Sequence, residues 1–135
     1  MVAGSVLGHE HYHRAKPVLK LAEKCPGDFF CASHSLAETY NTLTRLPFQP
    51  RIHPADALRI IRETIIPHFK MVTLDAKAYV KVLSQCAEDG LVGGVIYDAL
   101  LLHCAATVKP DRIYTFNLRD FQRISPGLAS KIMAP

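Results

Sequence analysis

The sequence has no closely paired cysteines. Cys25, Cys31, Cys86 and Cys104 form no Cys-x-x-Cys pair, and no secretory segment stands ahead of them. The start, Met1-Val2-Ala3-Gly4-Ser5-Val6-Leu7, is apolar but has no basic flank and stops at Gly8 and a histidine cluster, unlike a signal peptide or an anchor. The expectation is four free thiols in a reducing cytoplasm, and a disulfide-stapled scaffold is excluded. A membrane span is also missing, because the longest apolar stretch, 91–108, contains Asp98 and His103, both costly at the centre of a bilayer. Repeats, low-complexity runs and Ser/Gly linkers are absent, so nothing marks a domain boundary. Charge of one sign is scarce as well. Sixteen Lys and Arg against twelve Asp and Glu leave only +4, with a pI near 9.0. That balance favours an anionic partner but falls far short of a nucleic-acid-binding arm. What remains is 135 residues, 49% of them hydrophobic and 21% charged, which is the composition of one globular domain.

Along the chain, helical and extended patterns alternate. Residues 11–24 place Ala15, Val18, Leu19 and Ala22 on one helix face, closed by a Pro26-Gly27 turn. Phe29–Ala32 reads as a short strand, 35–46 as a helix, and three prolines break the pattern over 47–54. A helix over 54–66, a strand at Met71–Leu74 and helices over 76–87 and 93–107 come next. Ile113–Phe116 reads as a strand, 117–124 as a short helix and Lys131–Met133 as an edge strand. Short strands separated by helices imply right-handed crossovers and parallel pairing. The expected class is therefore α/β, a single-domain parallel sheet flanked by helices, with chemistry at the carboxyl ends of the strands near Ser33, Leu74 and Asn117.

Two metal patterns can be weighed against this frame. His9-Glu10-His11-Tyr12-His13 satisfies the His-Glu-x-x-His spacing of zinc peptidases, which needs His9 and His13 on one helix turn and a third ligand. Gly8 and the absence of the longer His-x-x-Gly-x-x-His continuation make a solvated polar helix start the favoured account. Cys25, Cys31 and His34 flank and occupy a strand, where side chains alternate faces, so buried thiols are favoured over a cluster.

The carboxylates carry more. Glu38 comes after the Phe29–Ala32 strand, although Ser35-x-x-Glu38 also reads as a capping box. Asp98 lies on an apolar helix with no basic residue within a turn, so it must reach water, a metal or a distant cation. Asp120 stands at the exit of the Ile113–Phe116 strand, where Asn117 is a natural cap and the first-turn dipole favours an acid. Hard oxygen ligands without matching His or Cys suit magnesium or manganese, and a phosphodiester is the natural substrate of such a site.

Three segments, Ser33-His34-Ser35-Leu36-Ala37-Glu38, Gly93-Gly94-Val95-Ile96-Tyr97-Asp98-Ala99 and Thr115-Phe116-Asn117-Leu118-Arg119-Asp120-Phe121, resemble in order and spacing the PIN-domain ribonucleases, particularly VapC-type toxins of toxin–antitoxin pairs. The resemblance implies a three-layer α/β/α fold over 1–135 and a magnesium- or manganese-dependent endoribonuclease acting on RNA. It implies Glu38, Asp98 and Asp120 as the catalytic and metal-binding acids, Asn117 as a further metal-site residue, and Thr115 and Ser33 as polar support. An antitoxin protein and a second copy of the chain are the implied partners. Arg45, Arg51, Arg59 and Arg62 are candidates for RNA phosphates, equally readable as a solvated basic face.

Members of that family open on a central strand ending in Asp-Thr/Ser-Asn/Ser-Val-Leu, whose Asp is the first metal ligand. Met1–Leu7 corresponds to the residues just past that Asp, so the expectation is a domain without the first strand and its carboxylate. A late start codon is favoured over a truncation or a degenerate member, because the other acids and Thr115 and Asn117 are in place. The alternative function is a catalytically impaired PIN-like module that binds a partner.

Overall fold

The computed structural model describes residues 1–135, and the backbone clusters into two compact units, Met1–Val72 and Thr73–Pro135. The first contains helices α1 (Val2–Ser5) and α2 (Tyr12–Lys24), strand β1 (Phe30–Ala32), helices α3 (Ser33–Arg45) and α4 (Pro54–Ile60), and strand β2 (Lys70–Val72). The second contains α5 (Ala76–Glu88), α6 (Val95–Val108), β3 (Ile113–Tyr114), α7 (Leu118–Ile124) and β4 (Ile132–Met133). The α/β class and the parallel pairing hold: β1 pairs parallel with β2, and β3 parallel with β4. Instead of one longer sheet, each unit has its own two-stranded pair.

In the first unit, α1 packs against α2. The contact is close enough that a Cβ added at Gly4 would stand 2.7 Å from Leu19 Cδ1, 2.9 Å from Leu19 Cγ and 3.2 Å from the Ala15 carbonyl carbon. Leu43 of α3 and Ile65 are fully buried, and α3 packs against α4 and the turn that continues it. The helix expected over 54–66 is present with two features that sequence periodicity does not reveal. His53 caps it, its Nδ1 accepting from the Ala55 amide at 3.2 Å. Its last turn, Ile61–Ile65, widens to π geometry, with the Ile66 amide donating to Ile61 O at 3.1 Å. Pro67 comes next, and Ile66 before it keeps right-handed helical angles (φ −54°, ψ −42°). At the base of the β1–β2 pair, the Lys70 amide donates to Phe29 O at 2.8 Å, and the Phe29 and Phe69 rings meet edge to face at 5.9 Å.

The second unit is organised around α6. Val82 and Cys86 of α5 and Ala99 and Leu100 of α6 form one buried cluster. Leu102 of α6 with Phe121 of α7 and Ile132 of β4 forms another, and Ile124 packs against both. The helix ends at Lys109, whose backbone is left-handed (φ 49°, ψ 57°). Beyond it the Lys131 ammonium donates to Pro110 O at 2.8 Å, and the Thr115 amide to Met133 O at 3.0 Å, which ties β3 to the chain end. A 3-10 turn over Pro126–Lys131 precedes β4 and is not legible in the sequence. No helix is long and apolar enough to cross a membrane.

All four cysteines are free thiols. Burial pushes Cys86 and Cys104 up from the ordinary thiol range; the charge of Asp89 adds to the effect at Cys86, and a main-chain hydrogen bond opposes it at Cys104.

Gly4→Ala is expected to destabilise the chain by about 1–3 kcal/mol, because the added methyl meets Leu19 Cγ and the Ala15 backbone as well as a movable side-chain tip; urea unfolding monitored by circular dichroism measures it. Iodoacetamide should modify native Cys86 and Cys104 on the order of 100-fold more slowly than the unfolded thiols, since the thiolate is the reactive form. Because the unfolded chain releases these thiol protons first, the native state binds more protons above pH about 8.5, and stability should fall as pH rises beyond that point.

Candidate metal and nuclease site

The acids expected to act together fall in both units. Ser33 is the first residue of α3, and Glu38 stands in that helix's second turn, both partly buried. The capping box read from Ser35 and Glu38 is not formed. Helix α3 starts two residues earlier than the spacing suggests, with Ala32 as its N-cap and no side-chain cap, which leaves Ser35 inside the first turn.

In the second unit, α6 and the segment after β3 bring two of the expected residues together. Asn117 Nδ2 donates to Asp98 Oδ2 at 2.7 Å, across nineteen residues of sequence. Asn117 holds the N-cap position of α7 but caps nothing with its side chain, because the amide is turned to Asp98 instead. Its own backbone N–H donates to Thr115 Oγ1 at 3.0 Å. Thr115 thus fixes the turn, the turn aims Asn117, and Asn117 holds the one carboxylate on an apolar helix. Where the sequence points Asp98 to water, a metal or a distant cation, the structure also brings it the Asn117 amide.

Asp120 lies in the first turn of α7 and pairs with the Arg123 guanidinium at 3.3 Å, an i,i+3 contact. The spacing of this pair is legible in the sequence, whereas its bearing on the site emerges only with Asp120 in place on α7. No group of three or more His, Cys, Asp or Glu side chains suited to a metal ion forms within either unit. A separate cleft of about 260 Å³ is lined by residues that include Val82, Cys86, Leu102 and His103, and includes none of the site acids.

The histidine motif does not adopt the zinc-peptidase arrangement. Helix α2 begins at Tyr12, so His9 precedes it and cannot stand one turn below His13. The ring of His9 instead accepts the His11 amide at 3.1 Å. His13 is exposed, whereas His9 and His11 are partly buried, less open than a fully solvated cluster. Among the expected RNA contacts, Arg45, Arg51, Arg59 and Arg62 are all exposed, but Arg59 is ion-paired to Asp56 at 2.8 Å.

Comparison with known proteins adds relatives to this geometry. Ribonuclease VapC40 of Mycobacterium tuberculosis is 31% identical over 101 residues, covering 75% of this chain and 69% of that protein. The chain belongs to the VapC-type PIN-domain ribonuclease family. Ribonuclease VapC27 of the same organism is 38% identical over 73 residues, which cover 54% of this chain and 51% of VapC27, so the chain spans about half the length of that relative. No family model and no solved structure matches.

A double-mutant cycle over Asp98→Ala and Asn117→Ala should show a coupling of about 0.5–1.5 kcal/mol, the ordinary net value of a partly exposed hydrogen bond. Chemical denaturation of the four proteins gives the number directly.

Proposed function

We infer that the chain is the ribonuclease of a toxin–antitoxin pair, acting in the cytoplasm and hydrolysing RNA phosphodiesters with the help of magnesium or manganese. The observation that carries this reading is membership in a family whose matched relatives are named ribonucleases. The Asp98–Asn117 pair gives the reading a chemical centre.

The donor set of the second unit fits such an ion. Asp98, Asp120 and the side-chain carbonyl of Asn117 are hard oxygen donors, with no thiolate or imidazole among the residues assigned. Magnesium keeps several of its waters and is usually held by only one or two carboxylates together with substrate phosphates, so a three-carboxylate cage is not required. By resemblance, Glu38 in the first unit is assigned the same kind of role. Bound there, a divalent ion supplies Lewis-acid polarisation of the phosphodiester and a lowered pKa for an attacking water.

The rest falls to the chain's own groups. Asn117 holds Asp98 in one rotamer, which reduces the reorganisation needed when a negatively charged backbone approaches. Thr115 holds Asn117. The Arg123 guanidinium offsets the charge of Asp120 and must yield part of that contact for Asp120 to take up a cation. Arg45, Arg51 and Arg62 offer exposed guanidinium groups to RNA phosphates, which sets register without reading sequence; Arg59 is committed to Asp56. Ser33 serves as polar support at the start of α3. The partners on this reading are an RNA substrate and an antitoxin protein.

Purified protein with a defined single-stranded RNA should cleave it with magnesium or manganese and stop on adding EDTA. Asp98→Asn, which keeps a hydrogen-bonding side chain for Asn117, should lower the rate on the order of 100-fold or more, and Glu38→Gln or Asp120→Asn at least about tenfold. Manganese titration by calorimetry should weaken in parallel. Cleavage unaffected by EDTA or by Asp98→Asn would remove the metal mechanism, and RNA bound but left intact would favour the non-catalytic module.

A further inference from the structure

The aromatic side chains of the second unit fall into two sets. Phe121 is buried, and Tyr79 and Tyr114 are partly covered. Tyr97 and Phe116 stand in the open, at 48% and 38% exposure. Each is the residue immediately before one member of the Asp98–Asn117 pair, whose side chains meet at 2.7 Å. One ring therefore hangs from each of the two segments that this hydrogen bond joins. The two aromatics that the unit leaves exposed are the two beside its candidate site.

Both rings stand on ordered backbone. Tyr97 lies in the first turn of α6, its amide donating to Gly94 O at 3.1 Å. Phe116 is spanned by the bond from the Asn117 amide to Thr115 Oγ1 at 3.0 Å, and the Thr115 amide is tied to Met133 O. An exposed aromatic ring on fixed backbone is a platform for a nucleobase, because every base has a π face and only two side-chain torsions remain to be ordered. Charge gives the rings a task. Asp98 repels the phosphates of an approaching strand until a cation offsets it, so next to this acid the strand needs an attraction that does not depend on charge. Stacking supplies one, and only to bases that are not already paired within a duplex.

We propose that Tyr97 and Phe116 are substrate-positioning residues, each stacking on an unpaired base, one on either side of the phosphodiester to be cut. This rests on the ribonuclease reading and narrows its substrate to RNA whose bases flanking the cut are free of a duplex.

Binding measured without metal keeps the test apart from catalysis. Fluorescence anisotropy of a short end-labelled single-stranded RNA, in EDTA at low salt, should show Tyr97→Leu and Phe116→Leu each weakening binding about three- to thirtyfold, with Tyr97→Phe and Phe116→Tyr within about twofold of the parent. A blunt duplex of the same strand should bind the parent and both leucine variants within about twofold of one another, since its bases are already stacked. Replacing one nucleotide at a time by an abasic residue should reveal one position whose loss costs the parent as much as Tyr97→Leu does but costs the Tyr97→Leu chain less than about twofold, and a second position coupled in the same way to Phe116. The two positions should flank the bond cut when manganese is added. Both side chains are exposed, and unchanged circular dichroism would confirm that the variants fold. A parent that cuts RNA with manganese but binds no single strand in EDTA, that binds it equally well with either leucine, that loses duplex binding in step, or that shows no abasic coupling would overturn the stacking and leave the nuclease reading standing. A parent that neither binds nor cuts RNA would remove both.

Discussion

A helix that is apolar around its whole circumference must be covered on more than one side, and the second unit is the solution of that constraint for α6. Its Ala99 and Leu100 pack with α5, while Leu102 packs with α7 and β4. Helix α7 also touches both clusters, through Ile124. Asp98 is the one carboxylate on this helix. Asp98 would be expensive to leave without a polar partner, and the segment leaving β3 is held where Asn117 meets it. Packing and site are therefore set by the same helix, the apolar residues fixing its place and the acid fixing what approaches it.

The class of fold is legible because its signal is repeated. Short β-branched and aromatic runs at Phe29–Ala32, Met71–Leu74 and Ile113–Phe116 alternate with helical spacing, and each such run contains an observed strand or overlaps one. The strands are shorter than the apolar runs, since an apolar residue continues the pattern after pairing has stopped. How the strands group is not legible: periodicity sees one strand at a time, whereas pairing partners depend on contacts far apart in sequence. The π turn at Ile61–Ile65 and the 3-10 turn at Pro126–Lys131 escape for a related reason, as both keep a helix-like residue pattern while changing which carbonyl accepts each amide.

In the site, residue identity is more legible than residue behaviour. Asp98 stands out because a lone acid on an apolar helix has few inexpensive states. Asn117 is visible too, but as a cap, the commonest use of an asparagine before a helix. That local rule fails because a carboxylate nineteen residues away accepts the amide. Ser35 and Glu38 fail as a capping box for a simpler reason: α3 begins at Ser33, so the motif lies too deep in the helix. Local motifs assume a boundary, and here tertiary context moves it.

The left-handed residue at the end of α6 links these features. Only eight positions separate Lys109 from Asn117, and within them the chain reverses, forms β3 and delivers an amide back to the helix it has just left. A non-glycine residue in that conformation has a backbone cost of about 1 kcal/mol or more, while a cation at a helix C-terminus recovers part of it. Glycine at 109 would relax the backbone and give up the charge. Valine or isoleucine, branched at Cβ, would add to the backbone cost at that turn. The backbone turn at residue 109 thus stands on the path that carries Asn117 back to Asp98, well outside the acids themselves.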